Sequence, residues 1–470
     1  MVEKGYDVII IGSGPAGIFT ALEIVEKNEN MKILMIDKGK DITKRSCPAI
    51  EKGETCQLCK PCKLLTGWGG SGAFSDGKLT LTTEVGGWLN EYQTKEKLNE
   101  LVKHVDKVYL NFGATKKVYG TNADEVSKIE RKATFAGLKL IPYQVRHLGT
   151  ENCREILRKM KEKLQNHIDI RLNKNVKHII VEREKAKGVE LDNEEKIMGK
   201  YIVTAPGRVG ADWLTEEMKH YGLETRNNPI DVGVRVELPA EIMEEITSTL
   251  HEPKFIYYSK SFDDLVRTFC VCPHGEVTIE STEENAVTVN GQSYANKKTG
   301  NTNFAILVST SFTEPFKEPI AYGKYLARLA NILSGGSVII QRLGDLKIGR
   351  RSTPERIARS IVTQTLKTAV PGDLSFVLPY RFLQDILEML KALDKVTPGV
   401  YSDHTLLYGI ETKFYSSRIK VNNELETKKE NLYTIGDGAG ITRGLIQASI
   451  SGVIAARSII MKENKTKNNQ

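Results

Sequence analysis

The chain predicts an α/β fold in which a parallel-sheet domain is interrupted by an inserted mixed α+β domain. Three observations predict it. A strand, a glycine-rich turn, a helix and a second strand follow one another from Asp7; β-rich runs mixed with helices replace that pattern between about Asn228 and Asp403; and a short strand with an apolar helix closes the chain from Leu432.

Taken in order, Asp7 to Ile11 is an apolar β-type run, and Pro15 to Lys27 carries helical spacing through Ile18, Ala21, Leu22 and Val25. Lys32 to Asp37 is the second strand. Between them lies Gly12-Ser-Gly14-Pro15-Ala16-Gly17, a G-x-G-x-x-G turn with Asp37 closing the next strand. That context is what a dinucleotide needs: Gly12 makes the tight turn, Gly14 lets the backbone approach a pyrophosphate, and Gly17 lets helix and strand pack. The helix N-terminus favours the negative charge, and Asp37 is placed to accept from ribose hydroxyls. The expected domain is therefore of the Rossmann type, with NAD and FAD both open at this point.

Periodicity disappears from Ser46 to Lys78, where Cys, Gly and Pro dominate, which predicts a structured functional loop. Helices are expected near Trp88 to Asn111, Asp124 to Ala136 and Glu151 to Asn166, and strands over Ile168 to Glu182 and Tyr201 to Ala205. The inserted part contributes strands such as Val232 to Leu238 and Phe304 to Thr310, and a helix from Pro354 to Thr368. The expected division is a first part at 1–227, an inserted substrate domain at 228–403, a return at 404–461 and a disordered tail at 462–470.

Hydrophobic residues at 40% and charged residues at 27% of the 470 exclude disordered and fibrous classes. No apolar run approaches the roughly 18 residues of a membrane span, and the first strand starts too early for a signal peptide, so the expected location is the cytoplasm. The net charge of +8 is spread among glutamates, as in Arg158 to Lys163, which reads as solvated surface and makes nucleic acid an unexpected partner.

The segment Gly436-Asp437-Gly438-Ala439-Gly440, leading through Gly444-Leu445-Ile446 into an apolar helix, resembles the second FAD motif of the glutathione-reductase type. The resemblance implies that Asp437 binds the ribityl chain and that the opening of the last helix faces the flavin. Ala205-Pro206-Gly207 matches the crossing beneath the cofactor, and Val176 the adenine-side contact. The three motifs in this order favour FAD over NAD. The expected cofactor set is Gly12, Gly14, Pro15, Ala16, Gly17, Asp37, Lys38, Gly70, Ser71, Gly72, Val176, Ala205, Gly207, Gly436, Asp437, Gly444, Leu445 and Ile446. No second G-x-G-x-x-G follows a strand, so a dedicated NAD(P)H domain is not expected.

Gly67-Trp-Gly-Gly-Ser-Gly-Ala-Phe-Ser-Asp-Gly-Lys78, Asp231-Val-Gly-Val-Arg235, Cys270-Val-Cys-Pro-His-Gly-Glu276, Arg342-Leu-Gly-Asp345 and Gly409-Ile-Glu-Thr412 resemble a bacterial family of FAD-dependent dehydrogenases with no assigned reaction. The resemblance implies a two-domain flavoprotein carrying out oxidation or reduction, and no particular substrate.

Four cysteines, Cys47, Cys56, Cys59 and Cys62, are spaced C-x8-C-x2-C-x2-C. The repeated x2 spacing suits three ligands of a [4Fe–4S] cluster, with Cys47 as a fourth; zinc, a flavin-coupled dithiol and inert reduced thiols are the other readings. Cys153 reads as core, and Cys270 with Cys272, on one face of a β-run, as structural. Candidate catalytic groups are His147 and His274 for proton transfer, Arg350 and Arg351 for a substrate carboxylate or phosphate, and Glu411.

The expected function is hydride or two-electron transfer between FAD and a small organic substrate, an unsaturated or hydroxylated acid. Electrons are exchanged through the cysteine site, a ferredoxin-like protein or transiently bound NAD(P)H. The alternatives are a flavin-dependent RNA-modifying enzyme and a non-enzymatic cysteine or flavin redox sensor.

Overall fold

The computed structural model describes residues 5–48, 51, 56–281, 286–312, 316, 318–413 and 416–468. Two sheets organise the mixed α/β chain. In the first, of seven strands, Asp169–Leu172, Ile33–Asp37, Tyr6–Ile11 and Lys196–Thr204 run parallel side by side. Leu432–Thr434 adds to Lys196–Thr204 in the same sense, and the antiparallel strands Lys185–Leu191 and Val176–Glu182 complete it. Parallel strands are covered on both faces, which is why Val8 to Ile11 and Ile33 to Ile36 are continuous apolar runs, all buried.

The second sheet, of eight strands, has the order Val370–Pro371, Ile339–Arg342, Leu406–Lys413, Ile230–Pro239, Asn301–Thr310, Leu265–Cys272, Lys254–Tyr258, Lys139–Ile141. Two of its strands lie outside the expected limits of 228–403: Lys139–Ile141 joins one edge by pairing with Lys254–Tyr258, and Leu406–Lys413 sits near the centre beside Ile230–Pro239. Hydrogen-bonded pairing across long sequence separation sets these memberships, and local periodicity carries no sign of it. The expected helix from Pro354 to Thr368 is a short one, Pro354–Ala358.

The last helix runs Leu445–Asn468, so residues 462–468 of the tail expected to be disordered at 462–470 continue the helix, and 469–470 lie outside the described residues. Ion pairs hold it there: Lys462 to Glu426 and Lys200 to Glu463. This helix has the length and apolarity of a membrane span, yet 72% of that window is buried inside the fold, where it packs on the helix Pro15–Lys27. It serves as a core helix of the first domain.

Candidate functional site

The strand Tyr6–Ile11 ends at Gly12, whose φ of +106° is one that L side chains rarely adopt; a Cβ there would lie 2.1 Å from the carbonyl oxygen of Ala205. Gly17 has the packing role expected of it, because a Cβ would meet the Gly12 carbonyl oxygen at 2.0 Å. The helix Pro15–Lys27 begins with Pro15 and has no side-chain cap at Gly14, which leaves its first N–H groups and their positive end turned to whatever lies in front.

What lies in front is one cavity of about 1340 Å³. It is lined by Gly12, Gly14, Pro15, Ala16, Asp37, Lys38, Gly70, Ser71, Gly72, Val176, Ala205, Gly207, Gly436, Asp437, Gly444 and Leu445. Of the expected cofactor residues, Gly17 and Ile446 alone stand behind the wall. The 3₁₀ turn Gly70–Phe74 reaches this position because the irregular loop before it is tied to Arg45, whose buried guanidinium donates to the carbonyls of Lys63, Leu64, Trp68 and Gly70.

Asp37 is engaged differently from the expectation. Ser13 donates to its Oδ2 through N (2.9 Å) and Oγ (2.7 Å), and Gly39 N (2.8 Å) and Gly67 N (2.9 Å) donate to its Oδ1. A carboxylate has about four lone-pair positions, so the side chain already spends them joining the first glycine turn to the loop at Gly67. A ribose hydroxyl would take the place of the Ser13 hydroxyl.

The return loop closes the other end. Gly436 has φ +75° and leads into the turn Asp437–Ala439, and Gly438 lies so near Gly207 that a Cβ would be 2.5 Å from its carbonyl oxygen. Thr442 Oγ1 donates to Asp437 Oδ1 at 2.7 Å, and burial raises this carboxyl above its usual pKa. Backbone bonds from Trp88 N to Ile441 O (2.8 Å) and from Arg443 N to Gly86 O (2.6 Å) lock the loop. An uncapped helix start, glycines where a Cβ would strike backbone, and one continuous cavity joining both loops fit FAD.

The second sheet builds the remaining wall with Lys254, Arg267, Phe269, Cys270 and Lys413, while Arg208 and Arg443 come from the first domain. Most of these cations are paired: Arg267 with Asp231 (2.5 Å), Arg208 with Glu280 (2.9 Å), and Lys413 with Glu411 (3.1 Å) and Glu280 (3.5 Å). Lys254 has no ion pair among the described residues; its ammonium stands 5.6 Å from the centre of the Tyr143 ring. Burial, reinforced by Arg267, brings its pKa down to about 8.

The expected catalytic groups are not gathered at this cavity. Arg350 and Arg351 are exposed, and Arg350 pairs with Asp345 at 2.7 Å. His274 sits at φ +50° in the turn after Leu265–Cys272, with Nδ1 3.0 Å from Thr299 O. Glu411 is fully buried in a two-point pair with Arg235, at 2.7 and 2.9 Å. His147 Nε2 lies 3.1 Å from Ser293 Oγ and its ring stacks on His251 at 4.2 Å; burial lowers its pKa. It is not among the lining residues, and its strand partner Lys78 is. Sequence position placed these groups near motifs, but side-chain direction and pairing turned them inward or out to solvent.

Of the cysteine cluster, Cys47, Cys56 and Cys62 line the cavity and Cys59 does not. Four thiolates around zinc at about 2.3 Å stand about 3.8 Å apart; among the described residues the thiol, carboxylate and imidazole atoms that gather within 4.8 Å are instead those of Asp76, Cys270 and Cys272. Lys254 and Arg267 were not singled out from the sequence, since they sit in strands with no motif around them.

Residues 229–414 match the family model described as FAD-dependent protein, C-terminal domain-like. With the cradle, this match supports FAD as the group the cavity holds. A Clostridium beijerinckii protein described as uncharacterized is 27% identical over 474 residues, spanning 97% of this chain and 80% of its own length. Among solved structures, L-proline dehydrogenase from P. horikoshii is 12% identical, covering 98% of this chain and 94% of that one at a TM-score of 0.41. Glycine oxidase from Bacillus cereus is 13% identical, covering 97% and 98% at a TM-score of 0.40. At those scores the likenesses carry nothing about this chain's substrate.

Proposed function

We propose that the chain is an FAD-dependent oxidoreductase that transfers two electrons to or from a small organic acid whose carboxylate is held by Lys254 beside Arg267. The observation that carries the reading is a cavity-wall ammonium with no ion pair among the described residues, on the same cavity as the dinucleotide turn and the return loop. The domain around that cavity is read as the FAD-binding domain of the glutathione-reductase type, built from the chain's beginning and end around the inserted sheet.

In this reading the uncapped helix start at Gly14 and Pro15 holds the pyrophosphate, Val176 the adenine side, and Asp437 with the Gly444–Leu445 helix start the flavin side. Bound there, FAD supplies the two-electron chemistry. Lys254 Nζ, protonated below about pH 8, orients the carboxylate; Arg267 stays committed to Asp231 and adds charge. Phe269 and Tyr143 keep that end of the cavity apolar. Electrons are exchanged with NAD(P)H bound transiently or with a ferredoxin-like protein.

Titration of the flavin-loaded protein with a panel of 2-hydroxy, 2-amino and 2-enoic acids, read by the flavin absorbance change, tests this. At least one is expected to bind, and Lys254→Met to weaken it by on the order of tenfold or more, as for loss of a charge-assisted bond. Unchanged binding to K254M would overturn the assignment.

A further inference from the structure

In a regular strand, side chains two residues apart share a face at roughly 6.6 Å. Cys270 and Cys272 depart from this. The pairing of Leu265–Cys272 with Asn301–Thr310 shifts register between Phe269 and Cys272, and Cys270 takes φ +46°. The bulge brings the two Sγ atoms to 3.8 Å, and such irregularities are frequent beside active sites.

Lys78 reaches this pair from the start of the strand Lys78–Thr80, which follows the Gly70–Phe74 turn. Its Nζ stands 3.8 Å from Cys270 Sγ and 3.7 Å from Cys272 Sγ, donates to Val271 O, and pairs with Asp76 at 2.8 Å. Cys272 Sγ is 3.7 Å from Asp76 Oδ2. Although Asp76 and the two thiols make a possible-ligand trio, the ammonium is already bonded within it, where a metal cation would have to sit. Cys272 is fully buried, whereas Cys270 opens on the FAD cavity.

We propose that Cys270 and Cys272 form a redox-active dithiol that exchanges two electrons with FAD. The inference rests on the FAD reading of the cavity. Both S–H bonds break and one S–S bond forms; the two electrons and two protons pass to FAD, giving FADH2 and the disulfide, and the reverse reaction restores two thiols. Lys78 stabilises the thiolate that begins the exchange. The thiol of Cys272 beside it, then Lys78 and Arg235, draw Cys270 below its ordinary pKa, while burial drives Cys272 up. The asymmetry makes the cavity-facing sulfur the reactive one. The other five cysteines fall outside residues 268–297, so tryptic cleavage after Arg267 and Lys297 isolates a peptide with these two alone.

The test uses full-length, flavin-loaded protein, oxidised in air or reduced anaerobically with dithionite, then denatured in iodoacetamide and digested. The 268–297 peptide is expected two hydrogens lighter and unalkylated from the oxidised protein, and doubly alkylated from the reduced one. Anaerobic dithionite titration is expected to take up two more electrons per flavin in the wild type than in Cys270→Ser or Cys272→Ser of equal flavin content. Flavin bands with a doubly alkylated peptide in the oxidised protein, or equal electron uptake in all three proteins, would overturn this inference alone. Absence of flavin after reconstitution would instead overturn the cofactor reading and take the exchange with it.

Discussion

Removing the carboxylate of Glu411 decides between a catalytic role and a structural one. The side chains of Glu411 and Arg235 are both 0% exposed, and Arg235 Nε and a terminal nitrogen donate to the two carboxylate oxygens at 2.7 and 2.9 Å. The other terminal nitrogen donates to Cys270 O and Asn303 Oδ1, so the guanidinium cannot turn toward water. In Glu411→Ala the buried guanidinium loses its counter-charge, and Lys413 keeps only the more distant Glu280 at 3.5 Å. Breaking one partner of such a pair costs about 3–5 kcal/mol. Replacing both, as in Arg235→Met with Glu411→Leu, removes the unpaired charge and is expected to recover most of that loss, since apolar substitutes for buried ion pairs are often neutral or better. Urea unfolding of wild type, both single variants and the double variant measures it. If Glu411→Ala unfolds within about 0.5 kcal/mol of wild type, the size of an ordinary surface substitution, the structural argument is wrong; lost turnover with that unchanged stability would return Glu411 to catalysis.

Four further outcomes follow from the geometry. Gly12→Ala forces a side chain into the positive-φ position 2.1 Å from Ala205 O; with strain of about 1–3 kcal/mol, FAD retention measured by absorbance after dialysis should fall on the order of 5- to 150-fold, and wild-type retention would refute the cradle. Binding of the carboxylate ligand should be flat below the Lys254 pKa of about 8 and fall about tenfold per pH unit above it, with no such break in Lys254→Met. The same group makes stability rise with pH: its folded pKa of about 8 lies below the ordinary 10.5, so between those values the unfolded chain binds more protons, and urea midpoints in that window should rise in wild type relative to Lys254→Met. Arg350→Ala and Arg351→Ala should leave flavin content and turnover at the wild-type level; Arg351→Ala should shift stability by no more than about 0.5 kcal/mol, the size of an ordinary surface substitution, and Arg350→Ala by more, because it strips the cation from Asp345, whose side chain is 1% exposed; a large loss of turnover would restore them to the site.

Local chemistry made much of the cofactor end legible before any coordinates. Gly12, Gly14 and Gly17 could be read because each answers a backbone demand within a few residues: a turn, a close approach and a helix–strand contact. The loop from Gly436 to Leu445 is legible for the same reason. Asp37 was legible as to place and less so as to task, because its partners at Gly39 and Gly67 come from a loop whose path periodicity does not describe.

The end proposed to hold the substrate was decided by the tertiary structure. Lys254 and Arg267 lie in strands where alternation says which residues share a face and nothing about which cavity that face meets. The Cys270–Cys272 contact depends on a bulge set by pairing with Asn303 and Ala305, more than thirty positions away in sequence. Even the expectation that alternation puts these two thiols on one face understated their closeness. Motifs with short-range backbone requirements are written in the sequence; side-chain neighbours assembled by strand pairing across long separations are not, because register, and with it the aim of every side chain, is chosen only when the sheet forms.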